Sequence, residues 1–248
     1  MITQRIVEDL NEKGIAKSHV DELFDEKYMR LYESVDSWLT EQEESETFRP
    51  FISGDRHNTD QKKFFELNHY TYLKRGLTFD EDLVKMYTSP ALIDVADLYY
   101  GEWSRLRNVM SSIYIPNLGR PRRGSQNWHQ DTEDTKILKA WIYFNDVDRT
   151  NGALEYKTKA DEAVRATGPA GTVYFIDTAN FHRGGYITEG IRKATQGVYL
   201  RPSAPQMMGI LEHFNYLSNG RPMWNIDLES DYFNSLNDRT KFLFERNE

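Results

Sequence analysis

The sequence predicts a single mainly-β domain, a sandwich or barrel with helices added at both ends. Three observations predict it. From Val109 to Leu200 the chain breaks into short runs rich in β-branched and aromatic residues: "VMSSIYI", "KILKAWIYF", "ALEY", "TVYFID" and "ATQGVYL". Turn-forming clusters separate them ("PNLGRPRRG", "DRTNG", "TGPAG") without any helical period, which disfavours βαβ units. On either side of this region the apolar residues recur instead at steps of three and four, the period of a helix.

Taken in order, residues 1–108 read as a mostly helical support with early strands. The first fifty residues read as helix: in "SHVDELFDEKYMRLYESVDSWL" the positions Val20, Leu23, Phe24, Tyr28, Leu31, Val35 and Leu39 fall on one face. Ser18, followed three residues later by Asp21, has the form of a capping box and places a helix start there. The acidic stretch "TEQEESE" at 40–46 is solvated, and Pro50 closes the region. A second helical stretch covers 81–98 and breaks at Pro90. Residues 109–200 form the β core. Residues 201–248 return to helix, most clearly in "PQMMGILEHFNYL". With no internal repeat or linker, 248 residues fit one domain spanning 1–248.

Composition removes several function classes. A net charge of −8 argues against a nucleic-acid-binding surface. The absence of cysteine removes disulfides, thiolate catalysis and zinc–cysteine clusters. The polar start "MITQRIVEDLNEKG" lacks the apolar segment of a signal peptide, and no apolar run reaches the roughly 18 residues of a membrane span. A cytoplasmic protein without membrane or nucleic-acid partners is the expectation.

The chemistry concentrates in "NWHQDTED", where His129 and Asp131 stand two residues apart. With six histidines and 19 aspartates, H-x-D is expected about 0.5 times by chance, and a second copy exists at His19 and Asp21. On a strand, residues i and i+2 share a face and both can reach one ion; on a helix they diverge. His19 falls in the helix-periodic segment, so that copy is set aside. His129 falls in the β region. A facial triad needs a second histidine. His182, just past "TVYFID" and beside a Gly-Gly pair, is the best placed, although a lone histidine is more often structural. His57 lies in a polar turn, His213 in a predicted helix, and His69 carries no comparable signal. Arg192 opens a strand, where an arginine can grip a carboxylate with two parallel hydrogen bonds; a surface cation is the plainer alternative.

The ordered pieces "WHQD", "WIYFNDVDRTNGALEY", "GPAGTVYFIDTANFHRGG" and "RKATQGVYL" resemble the phytanoyl-CoA dioxygenase-like family of Fe(II)/2-oxoglutarate-dependent oxygenases. The resemblance covers His129 to Leu200. It implies a double-stranded β-helix, the jelly-roll or cupin-like barrel. His129, Asp131 and His182 would bind iron, and Arg192 would pair with the distal (C5) carboxylate of the cosubstrate 2-oxoglutarate. Gln130 and Trp141 occupy places that often line the cosubstrate pocket, while Ser112 and Tyr114, on the preceding strand, are candidates for its other end. Where many relatives carry a serine two residues after the second histidine, this chain has Gly184. The stretch "KTKADEAVRATGPAG" is short and supplies no long lid.

The implied reaction uses Fe(II), 2-oxoglutarate and O₂ to hydroxylate an unactivated C–H bond of a small molecule, releasing succinate and CO₂; Asp131 fills the place that halogenases of the superfamily leave to halide. The alternatives are a cupin-type metal barrel that does not use 2-oxoglutarate, which has no need of Arg192, and a non-catalytic binding protein. Arg120, Arg122 and Arg123 in "GRPRRG", with Arg105 and Arg107 upstream, could receive an anionic substrate group; a solvated loop is the plainer reading.

Overall fold

Alternation in "KILKAWIYF" sets the architecture. Leu138, Ala140 and Ile142 pack into one apolar cluster, while Trp141 and Tyr143 pack into another on the opposite face. A strand buried on both faces must be covered on both, by helices on one side and a second sheet on the other. The structure, a computed structural model, describes residues 1–59, 61, 63–68, 77–78, 81–204, 216–217, 221–222, 224–225 and 231–244.

In chain order the strands that position the site are β1 (Ile15–His19), β2 (Glu66–Asn68), β3 (Leu77–Thr78), β4 (Arg105–Tyr114), β5 (Leu138–Tyr143), β6 (Leu154–Lys157), β7 (Ala163–Ala166), β8 (Thr172–Asp177), β9 (His182–Arg183) and β10 (Arg192–Leu200). Six of them form one sheet in the order β1-β8-β5-β10-β4-β2, and β7-β6-β9 form another. Every pairing within these two sheets is antiparallel. This is the jelly-roll fold expected from the sequence, with flanking helices. β3 stands apart, pairing in parallel with Trp224–Asn225.

The helices cover the outer face of the six-stranded sheet. Ile6 and Leu10 of α1 (Ile2–Lys13), Val35 and Leu39 of the long N-terminal helix, and Leu92 and Val95 of the helix Pro90–Tyr100 join Leu138, Ala140, Val173 and Phe175 in one core. Tyr87 lies flat against β10, where a Cβ at Gly197 would come within 2.3 Å of its ring; glycine there lets the ring approach. The opposite face of the sheet, with Tyr114, Trp141, Tyr143, Tyr174 and Ile176, packs against Leu154 and Tyr156 of the smaller sheet.

The first fifty residues are not continuous helix. Gly14 ends α1 in the left-handed conformation (φ 78), and β1 follows, pairing along β8 from Ile15↔Ile176 to His19↔Thr172. Tertiary pairing overrides the local helical pattern there. The predicted helix start shifts from Ser18 to the short α2 (Val20–Leu23), capped by His19, and the main helix α3 (Glu26–Glu44) restarts behind Asp25, whose carboxylate accepts from the Tyr28 amide. The predicted break at Pro90 divides the helices Asp82–Met86 and Pro90–Tyr100. β4 begins at Arg105, slightly ahead of Val109, and much of the short excursion after Leu154 is a hairpin of β6 and β7. Most of the predicted helix "PQMMGILEHFNYL" lies outside the described residues; its last two, Tyr216–Leu217, pair as a strand with Arg221–Pro222. No helix among the described residues is long and apolar enough to cross a membrane.

Candidate metal centre

The site forms where the segment before β5 meets β9. His129 and His182 pair as an isolated antiparallel bridge, each donating its backbone N–H to the other's carbonyl (3.0 and 2.9 Å). Two residues on, the Asp131 amide donates to the Thr178 carbonyl (2.9 Å). His129 and Asp131 therefore share a face of an extended segment, as the i, i+2 argument requires, and the pairing brings His182 alongside. Ligand atoms of His129, Asp131 and His182 all lie within 4.8 Å of one another, a group that could hold a metal ion.

Each ring has its outer nitrogen occupied in the same way. His129 Nδ1 donates to the Asn127 carbonyl (2.9 Å) and His182 Nδ1 to the Asn180 carbonyl (3.0 Å), in both cases two residues back. A carbonyl only accepts, so Nδ1 carries the proton and Nε2 is left with its lone pair turned inward. His129 Nε2 stands 3.9 Å from Asp131 Oδ1, and His182 Nε2 stands 3.8 Å from Oδ2. The rings sit 4.2 Å apart between centroids.

Electrostatics leave two of these donors, His182 and Asp131, in the protonation state a cation needs. Burial pushes the His182 imidazole down to about 4 against the pull of Asp131, so it is neutral at neutral pH. Burial would raise Asp131, but the Lys139 ammonium, then His182, and hydrogen bonds from Lys139 and Thr178 outweigh it and bring the carboxyl down to about 2. Lys139 is the residue that sequence reasoning missed. Its Nζ lies 2.6 Å from Asp131 Oδ2. The available signal was a lysine two residues before Trp141, on the inward-facing side of a strand otherwise built for a core.

Arg192 is buried (1% exposed). Its guanidinium lies 4.0 Å over the Tyr114 ring, its direct partner across β10 and β4, and Nη1 donates to the Gly152 carbonyl. Arg192 Nε has no hydrogen-bond partner among the described residues. His182 stands opposite Tyr156, four residues beyond Gly152, so at most about 14 Å of extended chain separates the two levels, and both side chains span part of it. Trp141 lies between, paired with Gln196, and its indole Nε1 and the Gln196 Oε1 are also buried without hydrogen-bond partners among the described residues. Orphaned polar atoms on an inner wall mark a place built for a polar ligand.

Other expected residues stand elsewhere. Ser112 Oγ donates to the buried Glu66 carboxylate (2.9 Å), which also takes a 3.3 Å ion pair from Lys63. Tyr114 supplies the surface beneath Arg192. Gln130 alternates outward from its neighbours; it is exposed and donates to the Ala179 carbonyl (2.7 Å), so the structure does not bring it to the site. The second H-x-D copy has both His19 nitrogens engaged, Nδ1 at 3.1 Å from Asp21 and Nε2 at 2.9 Å from the Ala170 carbonyl. It sits at the end of a strand rather than inside a helix, and no third ligand joins it among the described residues. His69 and His213 lie outside those residues.

No protein-family model matches the chain, and no curated protein matches it. Solved structures do. SnoN, a non-heme alpha-ketoglutarate-dependent epimerase from nogalamycin biosynthesis, superimposes with a TM-score of 0.58 at 16% identity, covering 89% of this chain and 95% of that one. AviO1 from Streptomyces viridochromogenes Tue57 gives 0.58 at 14%, covering 82% and 96%. EctD from S. alaskensis, solved with bound Fe, gives 0.53 at 15%, covering 80% and 76%. At these identities the likeness establishes the fold: a jelly roll shared with non-heme iron, 2-oxoglutarate-dependent enzymes.

Proposed function

We propose that the protein is an Fe(II)- and 2-oxoglutarate-dependent dioxygenase of the phytanoyl-CoA dioxygenase-like family, hydroxylating an unactivated C–H bond of a small molecule. The observation that carries this reading is the convergence of the His129, Asp131 and His182 donor atoms in a jelly roll whose inner wall also buries Arg192. The donor set fits the metal: two imidazoles and one carboxylate form the facial group that suits non-haem Fe(II). Bound iron, with 2-oxoglutarate and O₂, would supply the oxidising power, one oxygen atom going to succinate and the other to the substrate as CO₂ is released.

The chain's own residues hold and orient. The carbonyls of Asn127 and Asn180 fix the tautomer and the turn of each imidazole. Lys139 steadies Asp131 through Oδ2, which leaves Oδ1 for a metal. Arg192, braced by Tyr114 and Gly152, offers a buried guanidinium to the far carboxylate of the cosubstrate. Tyr114, Tyr143 and Trp141 wall this inner space with aromatic surface and exclude water.

SnoN is described as an epimerase, and related chemistries use the same donor set; Asp131, by filling the carboxylate position, favours hydroxylation over halogenation, and the mass of the product separates hydroxylation from epimerisation. The test is Arg192→Met. The variant is expected to bind Co(II), read from its visible absorption, as the parent does, while succinate release from 2-oxoglutarate falls by about 100-fold at low cosubstrate, the loss of a charge-assisted pair of hydrogen bonds. Unchanged succinate release would refute the role given to Arg192. Mass spectrometry of the product, a gain of one oxygen, checks the hydroxylation.

A further inference from the structure

The arginine cluster of "GRPRRG" divides in the structure. Arg122 turns toward the smaller sheet, donating to the Gln126 and Gly184 carbonyls and pairing with Glu155 at 3.2 Å, alongside Arg183. Arg120 and Arg123 turn the other way, into a pocket of about 560 Å³ that they line with His57, Asn58, Gln61 and Phe64.

Four features distinguish this pocket from a solvated loop. Its place is the first. β2 is the edge of the six-stranded sheet, and the segment up to His129 runs beside β9, so the pocket residues His57, Asn58 and Phe64, with Arg120 and Arg123, flank the seam between the two sheets. Phe64 belongs to the interior cluster with Tyr114 and Trp141 and forms the back wall. The second is rigidity. Asn117 and Gln126, both fully buried, exchange two amide hydrogen bonds (2.9 and 3.0 Å) that close the loop, and Asn117 also accepts from the Ile187 amide (3.0 Å). The turn runs through positive φ at Leu118 and Gly119, the Arg120 carbonyl accepts from the Tyr186 hydroxyl (2.7 Å), and the Arg120 guanidinium lies 5.1 Å over Phe64. A loop held this firmly presents its arginines from a fixed backbone, which lowers the entropic cost of binding.

Third, the charges are unanswered. Arg122 and Arg183 nearby both pair with Glu155, whereas Arg120 and Arg123 have no carboxylate partner among the described residues. Fourth, the chain carries a net charge of −8, so two guanidiniums without a carboxylate partner among the described residues, gathered in one concavity, run against its general balance.

We propose that this pocket binds the oxyanion, phosphate or carboxylate, of a small-molecule substrate and anchors it at the seam of the barrel. The anchoring role rests on the oxygenase reading above; the anion binding does not. Paired guanidiniums match the oxygens of such a group with forked donors.

The test uses the full chain without iron or 2-oxoglutarate. Inorganic phosphate and, separately, acetate are titrated while calorimetry gives the affinity and the His57 imidazole NMR signal reports the location. Saturable binding of at least one anion that moves His57 is expected, and the tighter anion identifies the substrate's group. Arg120→Gln and Arg123→Gln, with unchanged melting curves, should each weaken it by about tenfold, the value of one charge-assisted hydrogen bond. Arg192→Met should leave it unchanged. The proposal is overturned if neither anion binds saturably, if binding survives both arginine substitutions, or if Arg192→Met abolishes it, which would place the anion inside the barrel. Because no iron is present, either result leaves the iron reading to be judged separately.

Discussion

Asp177 closes β8 and ties together the helix layer, the sheet and the turn that delivers His182. Its Oδ2 accepts from the Tyr99 hydroxyl (2.8 Å), and its Oδ1 accepts from the amides of Ile137 (3.0 Å) and Ala179 (3.2 Å). The residue is 4% exposed, so water cannot readily replace it. Asp177→Ala strands three donors at once. Each hydrogen bond to a charged acceptor contributes about 1.5–3 kcal/mol, but they share one group and do not add fully, so we expect a loss of roughly 3–5 kcal/mol. For a chain of this length that lowers the melting temperature by about 10 °C or more, followed by circular dichroism. Tyr99→Phe removes only one of the three and should cost about 1.5–3 kcal/mol. The damage should also reach the site: Asn180, whose carbonyl orients His182, sits in the same turn, and Co(II) affinity should fall by about tenfold. A melting temperature and a Co(II) affinity both equal to the parent's would refute the linkage.

Two further outcomes follow from packing and charge. Gly197→Ala places a Cβ 2.3 Å from the fully buried Tyr87 ring, which is also held by its 2.7 Å hydrogen bond with Thr195; a loss of about 1–3 kcal/mol in urea denaturation is expected, and an unchanged midpoint would contradict it. Asp134 pairs with Arg201, and although burial would raise its carboxyl, hydrogen bonds from Arg201 and Thr135 hold it below the ordinary value of 3.8. A depressed carboxyl stabilises the fold above its unfolded pKa and loses that contribution as pH falls through the folded one. Asp134→Asn should therefore flatten the acid limb of stability against pH below about 4, and an unaltered acid limb would count against the pairing.

Much of the β core was legible because its signal is local. "KILKAWIYF" and "TVYFID" are rich enough in β-branched and aromatic residues to show strands, and "DRTNG" and "TGPAG" mark the breaks between them. His129 and Asp131 could be matched because strand geometry is decided within three residues. What the sequence did not show depends on distant partners. β1 is five residues whose identity as a strand comes from β8, more than 150 residues away in the chain. Lys139 looks like surface alternation until Asp131 is placed above it. Gln130 sits inside the motif, yet the same alternation that points its neighbours inward turns it to Ala179. Ser112 reads as a free hydroxyl until the buried Glu66 comes alongside.

The most direct test of the central claim is the visible spectrum of the anaerobic protein mixed with Fe(II) and then with 2-oxoglutarate. The account predicts a charge-transfer band with the intact chain and its loss in Asp131→Ala combined with His182→Ala, the double variant's fold being checked by circular dichroism. No band with the folded parent, or a band that persists in the double variant, would contradict it.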